Sequence, residues 1–314
     1  MSACMACGSP AAHALFRGTD RLYRTTTREF AVVRCEQCGL LRLDPQPAPE
    51  ELGLYYPRNY WFAPDRGAAS RMEEAYRRLV LRDHVRFVMG ALGASRARGP
   101  LLDVGSGGGL FPGMMRERGY RAAGLDLSPE AAAIAWRVQG VPAACGMLEK
   151  APFAAGQFAG ITMFHVLEHL PDPRAYLNAA RALLAPDGRL VVQVPNAACW
   201  QFRILRGRWT GVDVPRHLFD FRDRDLEKLL ESCGFEVLRR KYFSLRDNPA
   251  GLASSLAPWL DPMARRLRQA PESSGSRLTK DLAYFALVLA ALAPAALEAA
   301  FRAGSTVMME ARPR

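Results

Sequence analysis

Leu101-Leu102-Asp103-Val104-Gly105-Ser106-Gly107-Gly108-Gly109 is a short apolar run that ends in an acid and a glycine-rich turn. The run suits a buried strand, and the glycines let the backbone turn sharply and approach a ligand with no Cβ in the way. Further apolar runs follow at Ala122–Asp126, 159–164, 190–194, 235–242 and 305–311. Helical spacing fills Pro129–Gln139 and 175–184 between them, and 72–92 ahead of them reads as one long amphipathic helix. Strands alternating with helices predict a doubly wound α/β fold around a mostly parallel sheet.

The glycine turn does not fit the dinucleotide pattern Gly-x-Gly-x-x-Gly. Counting from Gly105 puts Leu110 at the last position, and counting from Gly107 puts Pro112 there. The pattern that fits is acid-x-Gly-x-Gly-x-Gly, beginning at Asp103. A carboxylate at the strand end suits a cationic amino group, such as that of the methionine part of S-adenosylmethionine, and no pyrophosphate has to meet a helix N-terminus. Asp126 ends the next strand about twenty residues on, where an acid accepts the ribose hydroxyls.

On these residues the chain resembles the class I S-adenosylmethionine-dependent methyltransferases, most closely the ubiquinone-type and sugar methyltransferase branch. The resemblance covers about 98–240 and implies a seven-stranded Rossmann-like sheet. It implies cofactor contacts from Asp103, Gly105, Ser106, Gly107, Gly109, Asp126 and Leu127. Gly146-Met147-Leu148-Glu149 is similar to the loop flanking the adenine, with Met147 where the family usually has aspartate, which leaves a backbone contact from Leu148.

Three histidines are candidates for catalysis. Phe164-His165-Val166-Leu167-Glu168-His169 follows the strand at the sheet's switch point. The resemblance places His165 beside the cofactor's transferred methyl, and His169 lies one helical turn on if Val166 onward is helical. An imidazole can take the proton of a hydroxyl or amine nucleophile at neutral pH. His217 lies in Val214-Pro215-Arg216-His217, where Arg216 either holds a substrate phosphate or carboxylate or ties down the loop with Asp220. Glu168 alone is too little to claim a metal.

Cys4-Met5-Ala6-Cys7-Gly8 and Cys35-Glu36-Gln37-Cys38-Gly39 form a zinc-ribbon pattern, in which four thiolates complete a closed, structural tetrahedron. The other three of the seven cysteines, Cys145, Cys199 and Cys233, stand alone and read as small buried hydrophobes. The expected organisation is a zinc ribbon over 1–43, a packing linker and helices over 44–98, and a methyltransferase domain over 99–314 with an apolar helical insertion at about 246–303.

A composition of 49% hydrophobic and 23% charged residues excludes a disordered chain, and a net charge of +11 favours anionic partners without choosing among them. Met1-Ser2-Ala3-Cys4 has no basic-then-apolar run, so a reducing cytoplasm is expected. The apolar stretch 282–297 is broken by Pro294 and falls short of the roughly twenty residues a spanning helix needs. It is expected to be a buried or interfacial helix. Arg265, Arg266, Arg268, Arg277 and Lys280 ahead of it would suit peripheral contact of about 265–300 with an anionic inner membrane face.

The functional expectation is methyl transfer to a small-molecule acceptor, a sugar or lipid-linked intermediate among the options. The alternatives are a zinc-ribbon methyltransferase of ribosomal RNA and a non-catalytic zinc-dependent binding protein. Against RNA bases stands the missing Asn/Asp-Pro-Pro-aromatic motif.

Overall fold

A computed structural model of the chain describes residues 2–57, 68–269 and 271–314; Tyr60 and Trp61 of the linker lie outside these. The described strands are β1 (Ala12–Gly18), β2 (Phe30–Cys35), β3 (Leu41–Leu43), β4 (Leu101–Val104), β5 (Ala122–Asp126), β6 (Ala143–Cys145), β7 (Phe158–Phe164), β8 (Leu184–Pro195), β9 (Phe219–Asp220), β10 (Phe235–Lys241) and β11 (Thr306–Pro313). The main sheet has seven strands in the order β10-β11-β8-β7-β4-β5-β6. The pairs among β4, β5, β6, β7 and β8 are parallel, while β11 and β10 pair antiparallel at one edge. This is the expected Rossmann-like, doubly wound sheet.

Alternate residues of the central strands feed two cores. Leu102, Val104, Ile161, Met163, Leu190 and Val192 join Leu177, Ala180, Leu226 and Leu230 on one side. Leu101, Val191 and Met308 join Val85, Val88, Phe111 and Met115 on the other. Burial on both faces is why these strands read as continuous apolar runs rather than alternating ones.

The region 72–92 is two helices, Ala68–Val80 and Arg82–Gly93, rather than one. The second lays Val85, Phe87, Val88 and Ala91 inward, while the first is tied to the C-terminal insertion by the Glu73–Arg266 ion pair at 3.6 Å. Different partners demand different axes, and the break at Leu81 supplies them.

Between β10 and β11 lie the helices Asn248–Leu256, Pro262–Leu267 and Ser274–Ala300. The last runs unbroken through Pro294, against expectation, and by length and composition alone could cross a membrane. Only 22% of its most apolar window is buried, and the chain returns from it into the sheet as β11. Leu278, Leu282, Phe285, Leu289 and Leu297 form an exposed stripe. Of the basic residues ahead, Arg265 is buried and pairs with Glu272 and Asp281, and Lys280 pairs with Glu272.

The N-terminal sheet is completed from far along the chain, in the order β1-β2-β3-β9, with Leu41 opposite Asp220. Arg216, 1% exposed, locks this seam. Its guanidinium donates to both oxygens of Asp20 at 2.9 Å, to Asp213 at 2.9 and 2.6 Å, and to the Tyr55 carbonyl at 2.8 Å. All five donors are used. Arg216 therefore ties down the loop, through Asp20 and Asp213 rather than Asp220, and has no donor left for a substrate anion. Removing one member of such a buried network strands the others, so Arg216→Met should cost about 3 kcal/mol or more in urea unfolding. A loss under about 0.5 kcal/mol would show that the seam does not depend on it.

Candidate active site

β4 and β5 deliver Asp103 and Asp126 to the carboxyl edge of the sheet, where α/β folds bind ligands. The turn between them is held by backbone bonds: Gly105 N and Ser106 N donate to the Leu125 carbonyl at 2.8 and 3.2 Å. Gly107 N donates to one oxygen of Asp126 at 2.8 Å, and Ser128 N to the other at 2.9 Å. Gly105, Gly107 and Gly109 sit at φ of 72°, 51° and 78°, in the left-handed region that favours glycine. A Cβ on Gly109 would also stand 2.6 Å from the Ala135 Cβ and 2.9 Å from its Cα.

Asp103 accepts a 2.6 Å hydrogen bond from the Thr162 hydroxyl. Burial nonetheless pushes its pKa up to about 7, with the Asp126 charge adding to the shift and Thr162 opposing it. Burial raises Asp126 as well. Among the described residues neither acid forms an ion pair. The Ser106 hydroxyl is buried with no hydrogen-bond partner among the described residues, Leu148 is buried after β6, and Leu127 is exposed after β5.

The histidines gather beside this edge. His165 has φ 57°, and the segment from Val166 is not α-helical but forms a short 3-10 turn at Leu167–His169, so His169 does not stand one α-helical turn on. His165 Nδ1 lies 3.1 Å from Glu168 and its Nε2 lies 3.5 Å from Asp247. Burial would lower the His165 pKa, but Asp247 and then Glu168 hold it up at about 9, so this imidazole carries a proton at neutral pH. It offers charge rather than a vacant lone pair. His169 is the opposite case: burial, then the neighbouring His217, lower it to about 4 and keep it neutral. Its Nδ1 lies 3.0 Å from the Arg216 carbonyl and 3.1 Å from the Tyr56 hydroxyl, and its ring stands edge-on to His217 at 4.6 Å.

Three participants were not singled out from the sequence. Thr162 could have been found as a lone hydroxyl in the apolar run Ala159-Gly160-Ile161-Thr162-Met163. Gln193, which donates to Asp247 at 2.7 Å, and Asp247 itself lie far from His165 along the chain. Only the fold brings them together.

The four N-terminal cysteines also converge. Cys4 and Cys38 sulfurs are 3.6 Å apart, Cys7 and Cys35 sulfurs 3.5 Å, and all four lie within 4.8 Å of one another. A tetrahedron with metal–sulfur bonds of about 2.3 Å has edges of about 3.8 Å, so the set fits zinc.

Residues 69–240, more than half of the chain, match the methyltransferase domain family. The chain belongs to that family. Curated relatives include the ubiquinone biosynthesis O-methyltransferase of Xanthomonas axonopodis pv. citri (strain 306), 29% identical over 155 residues, covering 44% of this chain and 62% of that protein. The enzyme of the same name from Erwinia tasmaniensis is 29% identical over 172 residues, 51% of this chain and 70% of that one. The chain thus spans less than two thirds of the length of the Xanthomonas relative. A methyltransferase structure from Archaeoglobus fulgidus aligns over 78% of this chain and 99% of its own, with 16% identity and a TM-score of 0.49.

The Gly109 contacts give a direct check on the turn. Gly109→Ala meets both a left-handed φ and a backbone neighbour, so it should lower stability by about 2 kcal/mol or more in denaturant unfolding. An unchanged unfolding midpoint would mean that the turn has room the structure denies.

Proposed function

We propose that the chain is an S-adenosylmethionine-dependent methyltransferase acting on a small-molecule acceptor. The observation that carries this reading is the pair of buried carboxylates, Asp103 and Asp126, neither in an ion pair among the described residues, on either side of a glycine turn. In the proposed complex Asp103 takes the ammonium of the methionine part and Asp126 the ribose hydroxyls. The bare backbone of Gly105, Ser106, Gly107 and Gly109 lets the ligand approach, and Leu127 and Leu148 flank the adenine. His165 stands beside the sulfonium methyl.

Methyl transfer forms a bond from the acceptor to the methyl carbon and returns the broken carbon–sulfur pair to sulfur, leaving S-adenosylhomocysteine. The acceptor's proton passes to Nε2 of His169 or His217, whose Nδ1 atoms each face a backbone carbonyl, and from there to water. Most of the rate enhancement then comes from alignment and exclusion of water. A hydroxyl-bearing biosynthetic intermediate, sugar or lipid-linked, is the proposed acceptor class, supported by the names of the curated relatives. Cys4, Cys7, Cys35 and Cys38 are proposed to hold a structural zinc ion. Any contact with a lipid surface would rest on the exposed leucine stripe of Ser274–Ala300, since Arg265 and Lys280 are already paired.

Incubating the protein with methyl-labelled donor and a cell extract, then fractionating, tests the reading. Label is expected in the small-molecule or lipid fraction. Label in RNA would instead establish the nucleic-acid alternative, and no transfer together with no donor binding would leave the non-catalytic one.

The raised Asp103 adds a pH signature. Below about 7 this acid is protonated, and a cationic ammonium must drive its proton off on binding. Donor affinity is therefore expected to fall as pH drops below about 7, by up to about tenfold per pH unit, with proton release in calorimetry. Asp103→Asn should flatten that dependence. A wild-type affinity constant from pH 5 to 8 would contradict the role given to Asp103.

A further inference from the structure

We propose that the cavity between the β1–β2 loop and the C-terminal insertion binds an organic phosphate, with Arg21, Arg24 and Arg268 on the phosphate and Trp259 against the organic part. The cavity has a volume of about 410 Å³, in the range of small-molecule sites. It shares no lining residue with the Asp103–Asp126 edge, the catalytic histidines or the cysteine cluster. Three observations carry the assignment.

The first is unbalanced charge. Arg21 and Arg24 come from the β1–β2 loop and Arg268 from the end of helix Pro262–Leu267, and none of the three forms an ion pair among the described residues. Asp20, on the same wall, is already spent. It accepts from Arg216 at 2.9 Å through each oxygen, from Tyr23 N at 2.9 Å, and from Thr25 N and Oγ1 at 3.0 and 2.7 Å. Burial, then the charge of Arg208, lowers the Arg21 pKa; burial, then Arg24, lowers that of Arg268 against the pull of Asp20 and Asp261. Like charges gathered in a partly buried cavity repel, and a bound anion removes that cost.

The second is prepared geometry. Arg268 donates from Nε to the Leu22 carbonyl at 2.7 Å and from Nη2 to the Arg21 carbonyl at 2.8 Å, which straps the insertion to the β1–β2 loop. Arg21 Nη1 donates to the Arg208 carbonyl at 2.6 Å. Two of the three guanidinium groups are thus held before a ligand arrives, so less freedom is lost on binding. Arg24 stands at φ 58°, in the left-handed region that a bulky residue rarely adopts. Its side chain has no hydrogen bond among the described residues, which leaves its donors for a ligand.

The third is the rest of the lining. Trp259, in the turn between helices Asn248–Leu256 and Pro262–Leu267, is 61% exposed. Thr26 and Thr27 add hydroxyls from the β1–β2 loop. An aromatic wall beside cations and hydroxyls suits a ligand with an apolar or ring-bearing body and an anionic head.

Guanidinium forks match carboxylate and phosphate oxygens alike, so charge decides between them. A phosphate monoester carries about −1.5 to −2 at neutral pH, more than the single charge of a carboxylate. Three cations with no acid to share favour the phosphate. A soluble phosphate ester and a lipid headgroup present the same chemistry to these arginines, and experiment separates the two sources.

Calorimetric titration of the full-length protein with phenyl phosphate, at low ionic strength so that salt does not screen the arginines, tests the site. One molecule per chain is expected to bind, roughly tenfold more weakly in Arg24→Ala, as loss of a charged hydrogen bond implies. Arg137→Ala, on helix Pro129–Gln139, should leave the affinity unchanged. Benzoate, with the same ring and one charge, should bind more weakly than phenyl phosphate. Arg24 and Trp259 are both exposed, so neither substitution removes a core contact. Trp259→Ala should abolish the preference for phenyl phosphate over inorganic phosphate, which checks the site a second way. Sedimentation with phosphatidylcholine vesicles containing phosphatidic acid distinguishes the sources. Sedimentation that phenyl phosphate competes away and Arg24→Ala removes assigns the site to a headgroup, while phenyl phosphate binding without sedimentation assigns it to soluble esters. No saturable binding of phenyl phosphate by folded wild type overturns the proposal. So does equal affinity in wild type and Arg24→Ala, or for phenyl phosphate and benzoate. None of these readouts involves the methyl donor, so failure here leaves the methyltransferase reading untouched.

Discussion

Asp103 and Asp126 stand at neighbouring strand ends, both buried, with no ion pair to either among the described residues, and joined by a turn in which the Gly107 N–H donates to Asp126. Two like charges in a low-dielectric edge repel, and burial alone disfavours each ionised form. Hydrogen bonds from Thr162, Gly107 and Ser128 meet part of that cost. A ligand that brings a cation to Asp103 and hydroxyls to Asp126 meets the rest. The constraint reaches back into the fold: Asp126 anchors Gly107, Gly107 and its neighbours need left-handed φ, and Gly109 must lack a Cβ so that helix Pro129–Gln139 can close over it. The sheet order follows from the same need, because both acids must end adjacent parallel strands.

The second organising contact is the seam at Arg216. By engaging Asp20, Asp213 and the Tyr55 carbonyl at once, it joins the cysteine-bearing sheet to the loop that carries His217. β9 continues that loop into the N-terminal sheet, so the two sheets are not independent bodies. The carbonyls that face His169 and His217 belong to this loop.

Much of this was legible in the sequence. The Asp103 turn, the Asp126 strand end and the two cysteine pairs are local patterns, and the structure brings each set together. What escaped depends on distance or brevity. β6 and β9, three and two residues long, are too short to leave a periodic signal. The break at Leu81 is invisible because apolar spacing continues across it while the packing partners change. Arg216 looked available for an anion because nothing local reveals Asp20, nearly two hundred residues earlier. Asp247 and Gln193 around His165 were hidden for the same reason. The run through Pro294 shows that a helix packed along one side tolerates a missing donor that, in the sequence alone, reads as a stop.

In the proposed complex the Asp103–Asp126 edge grips a sulfonium nucleoside of the amino-acid type. Isothermal titration of S-adenosylhomocysteine at neutral pH into wild type, Asp103→Ala and Asp126→Ala, each first shown to be folded by circular dichroism, addresses it most directly. Saturable binding of one molecule per chain is expected in wild type, weakened roughly tenfold to a hundredfold in each variant, as loss of a hydrogen bond to a charged group implies. No binding by folded wild type, or equal affinity in all three proteins, would contradict the account.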